Sequence, residues 1–491
     1  MTPLDALLIL SLAAGILGLI WFRARSQRLV AAIAIVTVAI VLAHAALQDY
    51  RWPLLLPYAV ALAIVVAAIV MLRGDTRQHA PSRRSRFFQV AVSIFGLLVV
   101  GVGAAVVWAF PLFEPPEPSG AHRVGVTRIH MVDEARGEAF ADDPAARREL
   151  MVHIWYPADP EPGSSPAPYL HESRVVTGEL LGALGLPRFM FNHLSQITGH
   201  AYEDAPAAAD RPFPVLVFSH GYFQGFAGQN VSQMEELASR GYAVVSIERP
   251  YESIAVVYPD GRTITVDKDA ATAFEERITP LYEAWEEADD PNERFTNAQR
   301  VLQIERYNER VVTWAADTSF VLDELERLAD DDQFILHQAL ALSEIGVFGH
   351  SFGGAAAVQA CLDDERAVAC LNMDGAQWGD LLESQTDKPL MFMFSEPNEG
   401  INDPVIENAE GIAYTLLIDN TAHLNFSDAP LWTPLFQLVG AAGSIDGRRG
   451  IEVANAYTHA FFARHLLGET APLLDPGAEQ YEEARLTMIN R

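Results

Sequence analysis

Lysine is almost missing from this 491-residue chain: Lys268 and Lys388 are the only two, and every other side-chain cation is arginine or histidine. Positive charge as a whole is scarce, with 34 Lys and Arg against 64 Asp and Glu, a net charge of −30. The deficit is uneven. Residues 1–113 hold nine arginines and three acids, whereas the rest of the chain holds 25 basic and 61 acidic residues. A domain that acidic repels phosphate backbones, so nucleic acid is excluded as a partner. Cysteine is nearly absent too. Cys361 and Cys370 alone cannot build a disulfide framework. Cys/His zinc spacing, HExxH and the GxxxxGK[ST] phosphate loop are all lacking, so neither a metal nor a cofactor is expected. Apolar residues are not scarce. They make up 50% of the chain, which excludes a disordered polypeptide.

Much of that apolar content opens the chain, in runs at about 3–22, 29–48, 53–72 and 87–110. Each is long enough, as a helix, to cross a hydrocarbon core of ~30 Å. Arginine alternates across their connections. Arg23, Arg25 and Arg28 occupy the first, and Arg73, Arg77, Arg83, Arg84 and Arg86 the third. The positive-inside rule puts those two connections in the cytoplasm. The N-terminus and everything after Phe110 then fall on the extracytoplasmic side of a plasma or inner membrane. His44 is read as lying near the outer end of its helix, free to snorkel. Ser11, Gly15 and Gly18, and Gly101 with Ala105, read as packing surfaces between helices. No buried charge pair is read in these spans, which weighs against a transporter. The expected organisation is a four-helix membrane region at 1–110, a Pro-rich linker at 111–122 and an α/β domain at 123–491.

In that last region apolar runs suited to strands alternate with helical patterns. The strand-like runs are 125–132, 149–156, 214–219, 242–247, 344–349, 367–373, 389–394 and 412–418. Helical patterns cover 228–239, 299–328, 352–363 and 451–467. The later strands are continuous apolar runs, as in a parallel sheet covered on both faces. The fold class is therefore α/β, with a mostly parallel sheet flanked by helices.

GHSFGG at 349–354 holds the G-x-S-x-G pattern between a strand-like run and a small-residue helix. That is the strand–turn–helix setting of a nucleophile elbow and makes Ser351 the candidate nucleophile. A serine hydroxyl needs a histidine base, and the base needs an acid to fix its tautomer. His423, on a polar loop after the last strand-like run, is the better base; His459 and His465 lie in an amphipathic stretch. Asp374 and Glu396 each follow a strand, and the residue pattern leaves the choice of acid open. Backbone N–H groups of Phe352 and Tyr222 are the candidate oxyanion donors. His220 reads as a loop-shaping residue, and the His350 side chain is expected to point away from Ser351.

With these residues in hand, the region resembles the plasma and type II platelet-activating-factor acetylhydrolase family of serine α/β-hydrolases. The matching segments include WYPA at 155–158, RPFPVLVFSHGYFQGF at 211–226, LASRGYAVVSIERP at 237–250, IGVFGHSFGGAAAVQ at 345–359, LNMDGAQWG at 371–379 and AHLNFSD at 422–428. The four N-terminal runs are not part of the resemblance. It implies Ser351, Asp374 and His423 as triad, and ester hydrolysis without metal at short or oxidised sn-2 acyl chains of phospholipids. An ester or phospholipid substrate and membrane lipid are the expected partners. The alternatives are a general carboxylesterase, polyester or lactone hydrolase with the same triad, or a non-catalytic binding module on an anchor. Cys361 and Cys370 fall in apolar runs and read as buried free thiols.

Overall fold

The structure, a computed structural model, describes residues 2–22, 26–48, 50–73, 83–208, 212–477 and 480–490. Arg23, Arg25 and Arg77, from which sidedness is read, lie outside them, as do the side chains of Arg83 and Arg84. The chain divides into one unit of Met1–Phe113 with Phe189–Ile197, and a second of Glu114–Arg188 with Thr198–Arg491.

The first unit contains α1 (Pro3–Phe22), α2 (Gln27–Leu47), α3 (Leu55–Arg73) and α4 (Arg83–Ala109). All four are long and apolar enough to cross a membrane, and most of each apolar window is unburied. Helices apolar all round need an apolar surrounding. Gly15 lies against Ile64, and Gly18 against Ile33, where a Cβ would approach to 2.5 Å. Gly101 is a correction: among the described residues nothing lies within 4 Å of its Cβ position, and the glycines of α4 that pack on other helices are Gly96, against Ile16, and Gly103, against Pro57.

His44 is a second correction. It does not snorkel but is buried, its Nε2 3.1 Å from Asp5 Oδ1 and its Nδ1 2.9 Å from the Tyr58 hydroxyl. Asp5 also pairs with Arg51 at 2.5 Å, both side chains fully buried, and Arg51 donates to Phe110 O at 3.0 Å. A buried charge pair is therefore present, contrary to expectation. Asp5 opens α1, His44 closes α2 and Arg51 follows it, so antiparallel helices bring them to one end of the bundle. Paired and hydrogen-bonded, these charges avoid the penalty of isolated burial. The segment Phe189–Ile197 belongs to the same end: Trp52 Nε1 donates to Met190 O (2.9 Å) and Gln196 Nε2 to Tyr50 O (2.7 Å).

The second unit is built on a ten-stranded sheet. In chain order its strands are β1 (Arg123–Gly137), β2 (Arg147–Ala158), β3 (Ala201–Glu203), β4 (Phe213–Ser219) and β5 (Ala243–Glu248). A separate hairpin, β6 (Ala255–Val257) and β7 (Thr263–Thr265), precedes β8 (Leu340–His350), β9 (Ala367–Met373), β10 (Leu390–Phe394), β11 (Ile412–Ile418) and β12 (Ala484–Asn490). The spatial order is β12-β11-β10-β9-β8-β4-β5-β2-β1-β3. From β11 to β5 all neighbours are parallel; β2 and β12 add antiparallel. Every residue of β4, β5 and β10 is buried, as expected for central strands covered on both faces.

Helices α5 (Ser173–Ala183), α6 (Val231–Ser239), α7 (Lys268–Glu286), α8 (Pro291–Leu302), α9 (Glu305–Ala329) and α10 (Phe352–Asp363) lie between the strands in sequence. The single helix expected over 299–328 is two, because Gln303 and Ile304 leave helical geometry between α8 and α9. The acid-rich stretch after β5 forms the β6–β7 hairpin, α7 and α8. Part of the Pro-rich stretch is fastened down rather than free: Ser119 N and Oγ each lie 2.7 Å from the Glu236 carboxylate, and Gly120 N donates to Ser239 Oγ.

Cys361 and Cys370 are joined as a disulfide, which corrects the reading of free thiols. The turn between α10 and β9 returns the chain so that the two Cα atoms are 6.3 Å apart, within disulfide reach. The apolar surroundings suit a buried disulfide as well as a thiol.

Candidate active site

Ser351 occupies the bend between β8 and α10 at φ 58°, ψ −128°, where a residue with a Cβ is strained. Neighbours without side chains make the bend possible. A Cβ on Gly349 would collide with Gly353 O, and one on Gly353 with Ser219 O at the end of β4. The elbow thus needs glycine on both sides of the serine. Ser351 N donates to Met373 O (2.8 Å), tying the bend to β9.

Asp374 follows β9 directly and also has positive φ, at 58°. Its Oδ1 accepts from Ser395 N (2.6 Å), and its Oδ2 from Ser395 Oγ (2.9 Å) and Asn398 Nδ2 (2.9 Å). The same Oδ2 is 2.8 Å from His423 Nδ1. The carboxylate is buried, while the histidine side chain is 43% exposed. Glu396 is exposed in a short turn of 3₁₀ helix beside these residues, and no pairing ties it to His423. Between the two candidate acids, the structure brings Asp374 to the histidine.

Ser351, Asp374 and His423 line one cavity of about 540 Å³, together with Tyr222, Phe352 and Trp378. The backbone N–H groups of Tyr222 and Phe352 have no acceptor among the described residues. Phe352 opens α10, where amides have no partner within the helix. Gly221, next to Tyr222, stands close to the nucleophile: its Cβ position is 3.6 Å from Ser351 Cβ. His220 holds its own loop, Nδ1 2.8 Å from Gly221 O and Nε2 2.8 Å from Ser253 Oγ. Burial, and then Arg249, push its pKa down to about 3, so it is neutral.

Gln229, Ser395 and Asn398 are contributors that sequence reasoning missed, and His350, read there only as pointing away from Ser351, braces His423. Gln229 Nε2 lies 2.7 Å from His350 Nδ1, and His350 Nε2 lies 3.0 Å from His423 O. A donating amide on one side and a carbonyl on the other assign the His350 proton to Nε2. Burial, and then His423, hold His350 well below the usual histidine range, hence neutral. Its ring packs 4.5 Å from that of His423. Adjacency of His350 to the nucleophile was a signal; Gln229 is distant in sequence and gave none.

Two apolar segments border the cavity. Leu180 and Leu184 come from α5 and its end, and Trp432, Phe436, Gly440 and Ala441 from the stretch after His423. Leu184, Leu438 and Val439 are exposed to solvent. Arg148 of β2 and Arg249, directly after β5, share the buried Asp317 of α9, fixing that helix to the sheet. Burial opposes ionisation of Asp317, but its arginine partners hold it below the usual carboxylate range.

An elbow serine after β8, a buried acid after β9 and a histidine after β11 of a mostly parallel sheet define the α/β-hydrolase class, and the chain is a serine-type carboxylic ester hydrolase. The family model of "Platelet-activating factor acetylhydrolase, isoform II" matches residues 111–471. The chain belongs to that family.

Among similar proteins is a "Probable 1-alkyl-2-acetylglycerophosphocholine esterase" of Arthroderma benhamiae, 24% identical over 406 residues, or 75% of this chain and 92% of that protein. The platelet-activating factor acetylhydrolase of Gallus gallus is 22% identical, over 72% of this chain and 83% of its own length. The solved structure of a ferulic acid esterase from Streptomyces cinnamoneus is similar with a TM-score of 0.60 and 27% identity, covering 76% of this chain and 98% of that one.

Proposed function

We propose that the protein is a membrane-anchored serine esterase that cleaves short or oxidised sn-2 acyl chains from phospholipids through an acyl-enzyme. Residues 1–110 form the anchor, 111–122 the connection and 123–491 the catalytic domain. The observation that carries the reading is the 2.8 Å contact of His423 Nδ1 with Asp374 Oδ2 beside an elbow serine lining the same cavity. Asp374 holds the imidazole so that Nε2 takes the proton of Ser351 Oγ as the hydroxyl attacks the ester carbonyl. The N–H groups of Tyr222 and Phe352 receive the developing oxyanion. Imidazolium then protonates the departing lyso-lipid alkoxide. Water, deprotonated by His423, releases the acyl group and restores Ser351.

The family and the named activity of the Arthroderma benhamiae protein support a phospholipid substrate. The exposed Leu184, Leu438 and Val439 near the cavity favour substrates taken from a lipid phase. The disulfide supports a catalytic domain in an oxidising, extracytoplasmic compartment. The test compares sn-2 acetyl and sn-2 palmitoyl phosphatidylcholine with p-nitrophenyl acetate. A strong preference for sn-2 acetyl over palmitoyl is expected. Equal rates on both chains, or activity on water-soluble esters alone, would leave the general esterase reading.

A further inference from the structure

Acids outnumber bases so heavily in the second unit that many of its arginines are paired: Arg148 and Arg249 with Asp317, Arg366 with Asp364, Arg449 with Glu483. Arg277 on α7 and Arg306 on α9 are different. Among the described residues neither has a carboxylate partner or a hydrogen-bond acceptor. Both line one cavity of about 310 Å³, with Arg310, Tyr222, Phe274 and Tyr307. Arg310 is already engaged, 2.5 Å from Glu252 Oε1 and stacked over Tyr222. Glu276 is the one acid among the lining residues, against three arginines.

This basic cavity adjoins the candidate active site. Tyr222 and Phe274 line both cavities, with ring centroids 5.1 Å apart. Arg306 and Arg310 both act electrostatically on Tyr222, and Arg277 and Arg306 on Tyr307. Arg277 and Arg306, lining one cavity without a carboxylate partner, repel each other unless an anion joins them. The overall field of an acidic domain repels anions, so an anionic substrate needs a local positive spot to hold it. Guanidinium forks match phosphate oxygens in geometry and charge. In a glycerophospholipid the carbon bearing the sn-2 ester is bonded directly to the carbon bearing the phosphate. The phosphate of a lipid reacting at Ser351 therefore has to lie close beside the nucleophile.

We propose that Arg277 and Arg306 form an oxyanion-binding subsite that holds the phosphodiester of the lipid headgroup while its sn-2 ester lies at Ser351. The subsite rests on the phospholipid reading above, and its test separates the two. Full-length protein and its Arg277→Gln/Arg306→Gln variant are compared on two lipids with the same sn-2 acetyl group: 1-alkyl-2-acetylglycerophosphocholine and the uncharged 1-alkyl-2-acetylglycerol. The ratio of kcat/KM for the phosphate-bearing over the neutral lipid is expected to fall at least tenfold in the variant, through KM. The Arg277→Lys/Arg306→Lys variant keeps the charge and should recover part of the ratio, which excludes a folding defect as the cause. A ratio unchanged within twofold overturns the proposal. Inorganic phosphate, tested as a competitive inhibitor of p-nitrophenyl acetate hydrolysis, gives the second arm. Inhibition relieved by the Gln variant supports the oxyanion site; if wild type then cleaves no phospholipid, the headgroup assignment and the substrate reading fall and a free-phosphate site stands. Absence of inhibition together with an unchanged lipid ratio removes the site while leaving phospholipid turnover as its own result.

Discussion

Asp374 and His423, 49 positions apart, meet through one carboxylate oxygen: Oδ2 lies 2.8 Å from His423 Nδ1 and also accepts from Ser395 and Asn398. The remaining oxygen is held by Ser395 N at 2.6 Å. An acid restrained on both oxygens cannot rotate away, so it fixes the ring's tautomer and orientation.

Asp374→Asn is therefore expected to fold normally and to lose about 10³–10⁴-fold in kcat, because an amide favours the wrong histidine tautomer. Glu396→Gln, at an exposed position, should alter kcat less than threefold. Steady-state kinetics on p-nitrophenyl acetate measure both. A severe Glu396→Gln and a mild Asp374→Asn would reverse the assignment.

The disulfide closes a short loop between α10 and β9. Thiol titration of the unfolded, unreduced protein should find no free thiol. The Cys361→Ser/Cys370→Ser variant should be less stable by about 2–3 kcal/mol, the usual effect of so short a cross-linked loop. Cys361 and Cys370 both found alkylated in unreduced protein isolated under alkylating conditions would contradict the bond.

Glu235 is buried, accepts from His200 N and Ala201 N on Oε1, and among the described residues has no partner for Oε2. Burial raises its pKa from 4.5 to about 7. A carboxyl whose pKa is higher folded than unfolded contributes stability that is whole below pH 4.5 and lost as pH rises through about 7. Glu235→Gln cannot ionise, so it should remove up to about 3 kcal/mol of that pH dependence. Thermal melts at pH 5 and pH 8 measure it. An unchanged difference between the two pH values would reject the account of this residue.

The sidedness is checked by protease added to spheroplasts. Release of the catalytic domain from intact spheroplasts is expected. Cleavage only in inverted vesicles would place that domain in the cytoplasm.

The central strands were legible because PVLVFS and IAYTLLI are continuous apolar runs, and the elbow because glycine, serine and small residues sit at fixed offsets. What was not legible depends on distance. The bundle-end cluster of Asp5, His44 and Arg51 joins residues up to 46 positions apart, and each charge read alone looks like a helix end. β12, with its mostly half-buried or exposed pattern, lacks the core-strand signature and exists by pairing with β11. The break between α8 and α9 carries neither glycine nor proline. The choice between Asp374 and Glu396 could not be made from local pattern, since both follow strands; it depends on where the His423 loop returns.

The most direct test of the account is active-site labelling with a fluorophosphonate. Full-length protein in membranes is treated with the probe, digested and mapped by mass spectrometry. The adduct is expected on the peptide containing Ser351, absent from Ser351→Ala and strongly reduced in His423→Ala. Labelling of Ser351→Ala at the wild-type rate, or an adduct on another residue, would contradict Ser351 as the nucleophile.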